Sequence, residues 1–185
     1  MKKTIRISAI ALFLSVLTLV YGCQQKATRA DKQTQTAQVV INSTSEPSKV
    51  MGNATFYKTD KGMLVEAKFN NAPEGDHGFH IHEVGSCEDK GNAAKGHFNP
   101  DNVKHGLLAK DGLKNAHAGD LGNITISSDG TGTLAETVPG LSFSGDKYAI
   151  KGLSVILHEK VDDFGQPTGN AGGRIGCGII STTGS

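Results

Sequence analysis

Almost no charge is left over in this sequence. The formal net charge is +1 and no basic patch stands out, which excludes a general binder of nucleic acid or other polyanions. Long apolar runs are missing too. The longest, residues 7–20, falls short of the roughly 20 residues a permanent membrane-spanning helix needs. There is no tryptophan, and only five prolines stand against 24 glycines, many of them beside Asn or Asp. Such a chain suits turns and short strands rather than long helices, so an all-β fold is expected. With 37% hydrophobic and 20% charged residues, the length accommodates one soluble domain with a sizeable core.

The N-terminus is expected to be removed or anchored. Lys2, Lys3 and Arg6 precede the apolar run, as in a signal peptide of exported proteins. The run ends at "VYGC", which resembles a bacterial lipobox, although Tyr21 is unusual within it. This reading makes 1–22 a signal peptide, Cys23 the site of lipidation and 23–36 a flexible polar tether, with a folded domain over 37–185. The mature protein is then anchored to a bacterial membrane, facing the periplasm or the exterior, with no transmembrane helix. Setting Cys23 aside leaves Cys87 and Cys177 as an even pair in an oxidising compartment. A disulfide between them would close a loop of about 90 residues, worth roughly 4–5 kcal/mol before strain. Two buried free thiols are the alternative.

Alternating runs predict eight strands, at 37–43, 49–58, 63–69, 77–85, 121–127, 132–138, 153–158 and 174–181. The turns "TDKG" and "SDGT" join neighbouring runs. Eight such strands fit a Greek-key β-sandwich or barrel. From Ser86 to Gly119 the alternation lapses into a stretch too long to be an idle loop, which predicts a functional one.

Histidine supplies the chemistry. In "HGFHIHE", residues 77–83, strand periodicity puts His80 and His82 on one face and His77 on the other. His97, His105, His117, Asp120 and His158 lie at strand ends or in the long loop. Imidazole suits copper and zinc, and a carboxylate can complete a tetrahedral zinc site. Seven such ligands imply two metals. Two four-coordinate sites need eight positions, so one histidine central to both sets must bridge them.

The motifs "GFHIHEVG", "GHFNPDNVKHG", "HAGDLGN", "LHEKVDD" and "GNAGGRIGCG" resemble the Cu,Zn superoxide dismutases in order and spacing, over residues 37–181. The resemblance implies one copper on His80, His82, His97 and His158, and one zinc on His97, His105, His117 and Asp120. His97 is then the bridge. Asp162 matches the aspartate that ties a copper ligand, here His80, to a zinc ligand, here His105. Arg174 matches the arginine beside the open copper face, Thr168 a threonine of the channel, and His77 a supporting position beneath the metals. The paired cysteines match as well.

The implied activity is conversion of superoxide to dioxygen and hydrogen peroxide through alternating Cu(II) and Cu(I). His97 and Arg174 are the catalytic residues, with zinc holding the bridging ring. The stretch between His158 and Arg174 is shorter than in eukaryotic members and lacks their guiding charges. A homodimer and a tethered monomer are both compatible with the resemblance. Two other readings compete: a copper-binding or copper-delivery module of the same fold, and a zinc hydrolase prompted by "HEKVD". The second lacks the histidine that H-E-x-x-H requires, since Asp162 stands there.

Overall fold

The structure, a computed structural model, describes residues 35–183. The expected signal peptide, Cys23 and nearly all of the tether lie outside the described residues. Nine strands form: β1 (Thr36–Ser43), β2 (Val50–Thr59), β3 (Gly62–Phe69), β4 (Gly75–His82), β5 (Asp120–Ile126), β6 (Gly132–Val138), β7 (Ser154–His158), β8 (Arg174–Ile179) and β9 (Ser181–Thr183). Every ladder between them is antiparallel, in the order β5-β4-β7-β8-β1-β2-β3-β6. The two end strands, β5 and β6, are consecutive in sequence and joined by the 127–131 turn, so the sheet is an eight-strand, nearly closed barrel. In that turn Gly130 takes φ +81°, a conformation glycine adopts without steric cost. The last expected strand breaks at Ile180, and its continuation, β9, pairs with β1.

Alternation places the core. Ala37, Val39 and Ile41 of β1 and Met63, Val65, Ala67 and Phe69 of β3 all point inward. Phe69 meets Phe79 of β4 edge to face, with ring centroids 5.9 Å apart. β4 and β7 depart from alternation. From His77 onward β4 is buried on both faces, and β7 is buried throughout. One face of each meets the barrel core and the other is covered by loops.

A second small cluster shows how that cover is built. Ile156 of β7 packs with Ala94, Cys177 and Cys87. Cys87 and Cys177 are joined in a disulfide, with Cα atoms 5.7 Å apart. The disulfide thereby fastens residues 87–95, including a 3-10 segment at Asp89–Ala94, over β7 and β8. Among the described residues the long 83–119 connection contains, besides that segment, a single helical turn, α1 (Leu108–Asp111).

Candidate metal centre

Two register shifts aim the site. Between Gly78 and His80 the β4–β5 ladder slips, which sets His80 opposite Asp120. Between Leu157 and His158 the β7–β8 ladder slips again, which sets His158 opposite Arg174. A bulge re-aims the side chains beside it, and both lie at a residue of the site. The long connection supplies the rest, with His97 bridged to His82 backbone to backbone.

Three sets of side chains converge closely enough to hold a metal ion, their ligand atoms all within 4.8 Å of one another. One is His80, His82, His97 and His158; the second is His97, His105, His117 and Asp120; the third is His80, His105 and Asp162. All are buried. His97 belongs to both four-residue sets. Its Nδ1 lies 2.9 Å from Asp120 Oδ1 and 3.4 Å from His117 Nδ1. That leaves Nε2 for the first set.

The third set is a tie. Asp162 accepts from His80 Nε2 at 2.8 Å and from His105 Nε2 at 2.9 Å. It is held in turn by the Phe164 N–H at 2.8 Å, and its own N–H donates to Asn123 Oδ1 at 2.7 Å. With their outer nitrogens so engaged, His80 and His105 turn Nδ1 inward. Both Nδ1 atoms are buried without a hydrogen-bond partner. His105 Nδ1 does lie 2.9 Å from Asp120 Oδ2, but outside hydrogen-bonding geometry. Buried orphan nitrogens are costly, and a metal ion in each four-residue set would satisfy them, so the residues fit two metals.

Carbonyls orient the rings of His82 and His77. His82 Nδ1 donates to Lys95 O at 2.9 Å, leaving Nε2 3.2 Å from His158 Nε2. His77 joins no set; its Nδ1 donates to the His158 carbonyl at 2.8 Å, which supports the ligand-bearing backbone from beneath.

Burial is the largest influence on charge here. It holds His82 neutral, its pKa lowered to about 2, with repulsion from His97 and His158 adding to it. His158 is lowered to about 3 by burial and then by His80 and His97. For His97 the Asp120 hydrogen bond offsets part of the burial, and the value is about 4. In His105 burial is outweighed by Asp120 and Asp162, which raise it to about 9. The histidines facing them, with the Gly106 and Phe164 N–H groups, overcome burial in both aspartates and keep them ionised.

Arg174, at the start of β8, donates to the carbonyls of Gly91 and Lys95, while its own carbonyl accepts from Thr44 Oγ1 at 2.6 Å. Thr168 lines a cavity of about 710 Å³ together with His97 and His117. Two contributors were not legible as site residues. Lys95 acts through its backbone oxygen. Gly169 (φ +76°) lies so close to Asp162 Oδ1 and His105 Nε2 that a Cβ would collide with both. The only signal for it was its place in the glycine-rich run after Thr168.

An antiparallel barrel with a buried seven-residue histidine and aspartate centre defines a metalloprotein with two adjoining ion sites. The profile of the copper/zinc superoxide dismutase family matches residues 50–180, and the chain belongs to that family. It is 38% identical over 143 residues to the extracellular copper-zinc superoxide dismutase of Caenorhabditis elegans, covering 74% of this chain and 63% of that protein. It is 40% identical over 139 residues to copper-zinc superoxide dismutase A of Xenopus laevis, covering 71% and 89%. Among solved structures, a superoxide-dismutase-like protein from Bacillus subtilis superposes with a TM-score of 0.66 at 33% identity, covering 77% of this chain and 96% of that one.

Proposed function

We propose that the chain is an exported superoxide dismutase, with copper on His80, His82, His97 and His158 and zinc on His97, His105, His117 and Asp120. The observation that carries this reading is the double membership of His97, one ring that belongs to both four-residue sets, with Nδ1 turned to Asp120 and His117. Copper held there supplies the one-electron couple that oxidises one superoxide to dioxygen and reduces a second to hydrogen peroxide.

The chain's own residues do the rest. Asp162 and the Lys95 carbonyl fix which nitrogen of His80 and His82 faces inward, so the ligand set is assembled before an ion arrives. Arg174 supplies a fixed positive charge that attracts and orients the anion. His97 Nε2, when free, holds one of the two protons that peroxide formation consumes. Zinc, if held by His97, His105, His117 and Asp120, would keep the opposite nitrogen and so the ring in place meanwhile.

Export and lipidation at Cys23 complete the proposal, supported by the basic and apolar N-terminal pattern. A homodimer and a tethered monomer both remain compatible with it. The test is superoxide decay with protein loaded with both metals, then with copper alone withdrawn. Rapid decay that vanishes on withdrawal and returns with copper supports the enzyme. Full loading without turnover overturns it in favour of a copper-binding module.

A further inference from the structure

The backbone that carries His105 belongs to no regular element, since residues 102–107 form neither helix nor strand. Its polar groups must find side chains instead. The Asn99 amide brackets Val103, accepting from its N–H at 3.1 Å and donating to its carbonyl at 3.0 Å. Asp120 takes the Gly106 N–H and Asp111 the Leu107 N–H, each at 2.9 Å. His105 itself is bracketed by Gln166: Oε1 accepts from the His105 N–H at 3.1 Å and Nε2 donates to the His105 carbonyl at 2.9 Å. Asn99 and Asp111 lie in the same long connection, and Asp120 is a member of the metal set. Of the four, only Gln166 comes from the 158–174 stretch.

That stretch is shaped around the same histidine. Phe164 takes φ +59°, a conformation uncommon for a bulky side chain, and its ring lies over His105 with centroids 6.2 Å apart and planes 21° from parallel. The run is also closed on itself. The Asp163 N–H donates to the Gly169 carbonyl at 2.9 Å, and Asp163 Oδ1 accepts from the Gly165 N–H at 2.8 Å. Gln166 therefore projects from a braced turn. The rings of His82 and His158 are met by the Lys95 and Gly172 carbonyls, and among the described residues none of 163–169 hydrogen-bonds to either.

We propose that Gln166 is a positioning residue for zinc: by fixing both backbone polar groups of His105, it holds that ligand in the second four-residue set and slows release of the ion. The inference rests on the two-metal reading for the identity of the ion and on the Gln166 geometry for the rest. One stretch then grips one ligand at three points, with Gln166 on the backbone, Asp162 on Nε2 and Phe164 on the ring face. An ion leaves only after a ligand swings away, and a ligand gripped in this way swings rarely.

The experiment follows zinc release into an excess of a chromogenic chelator from protein loaded with both metals, comparing wild type with Gln166→Met. Methionine keeps the length and apolar stem of the exposed glutamine and removes both hydrogen bonds. The variant is expected to release zinc roughly tenfold faster, as for loss of a group that supports a ligand. Copper release, read from its visible absorption, is expected to stay unchanged. Unchanged zinc release overturns the proposal, and so does equal acceleration of both metals, which a general loosening of the fold would give.

A second arm needs no metal. Hydrogen exchange of the His105 N–H in metal-free protein is expected to be roughly tenfold faster in Gln166→Met than in wild type, because its acceptor is gone. Gln166→Glu keeps an acceptor there and should keep the protection. Equal exchange in wild type and Gln166→Met overturns the clasp. If wild type takes up no zinc, the two-metal reading falls and this arm decides the clasp separately.

Discussion

Arg174 and His82 meet on a single carbonyl. Lys95 O accepts both the Arg174 guanidinium and the His82 Nδ1–H, so the charge and the ligand orientation are set from the same backbone atom. The Lys95 backbone, at φ +64°, is held by the loop that the disulfide fastens over β8. Arg174→Ala removes the charge and leaves the carbonyl to His82. We expect both metals to be retained and the rate with superoxide to fall by roughly tenfold or more. Arg174→Lys should recover only part of it, because one ammonium cannot reproduce the fork onto two carbonyls. Metal analysis beside the rate separates this from ligand loss.

Asp162 ties His80 of one four-residue set to His105 of the other. Asp162→Asn keeps the volume but cannot accept from two imidazole N–H groups while pointing its amide N–H₂ at one of them. Metal affinity at His105 and at His80 is expected to drop by roughly 10 to 100-fold. Competition with a chelator measures it, and unchanged affinities would refute the tie. Gly169→Ala should resemble it, since the added methyl group occupies the space of the Asp162 carboxylate.

The disulfide bridges residues 90 apart in sequence. Cys87→Ala/Cys177→Ala is expected to cost about 4 kcal/mol by loop entropy, read from urea unfolding. It should also reduce turnover more than metal content, because residues 87–95 carry the Gly91 and Lys95 carbonyls that hold Arg174.

Acid should destabilise the metal-free protein. His82, His97 and His158 remain neutral in the fold down to about 2, 4 and 3, whereas in the unfolded chain they take up protons near the ordinary histidine value of 6.5. Between about 6.5 and 4 the unfolded state binds more protons, so stability falls with pH by up to roughly 1.4 kcal/mol per unit for each ring. His105 has the opposite sign. Its contribution is fully present below 6.5 and disappears as pH rises toward about 9, so it does not offset the acid loss. Urea midpoints of metal-free protein at pH 7, 6 and 5 should decline in that order; a flat or rising series contradicts the burial of neutral rings.

Much of this architecture could be read from the chain. Period-two alternation located eight strands, because β1, β2, β3 and β6 each bury mainly one face. The spacing of His80 and His82 pointed to one shared face. What alternation could not show was the pair of ladder slips at Gly78/His80 and Leu157/His158, since tertiary cover on both faces decides them. Nor could residue type reveal Lys95, whose part is played by a backbone oxygen, or Gly169, whose part is to be small beside a carboxylate.

The central claim is that one ring, His97, serves two metals. The direct test is His97→Ala, titrated separately with copper and with zinc while native mass spectrometry counts the ions bound. Wild type should hold one of each. The variant is expected to bind both metals more weakly; weakening of one with the other untouched would contradict a shared ring.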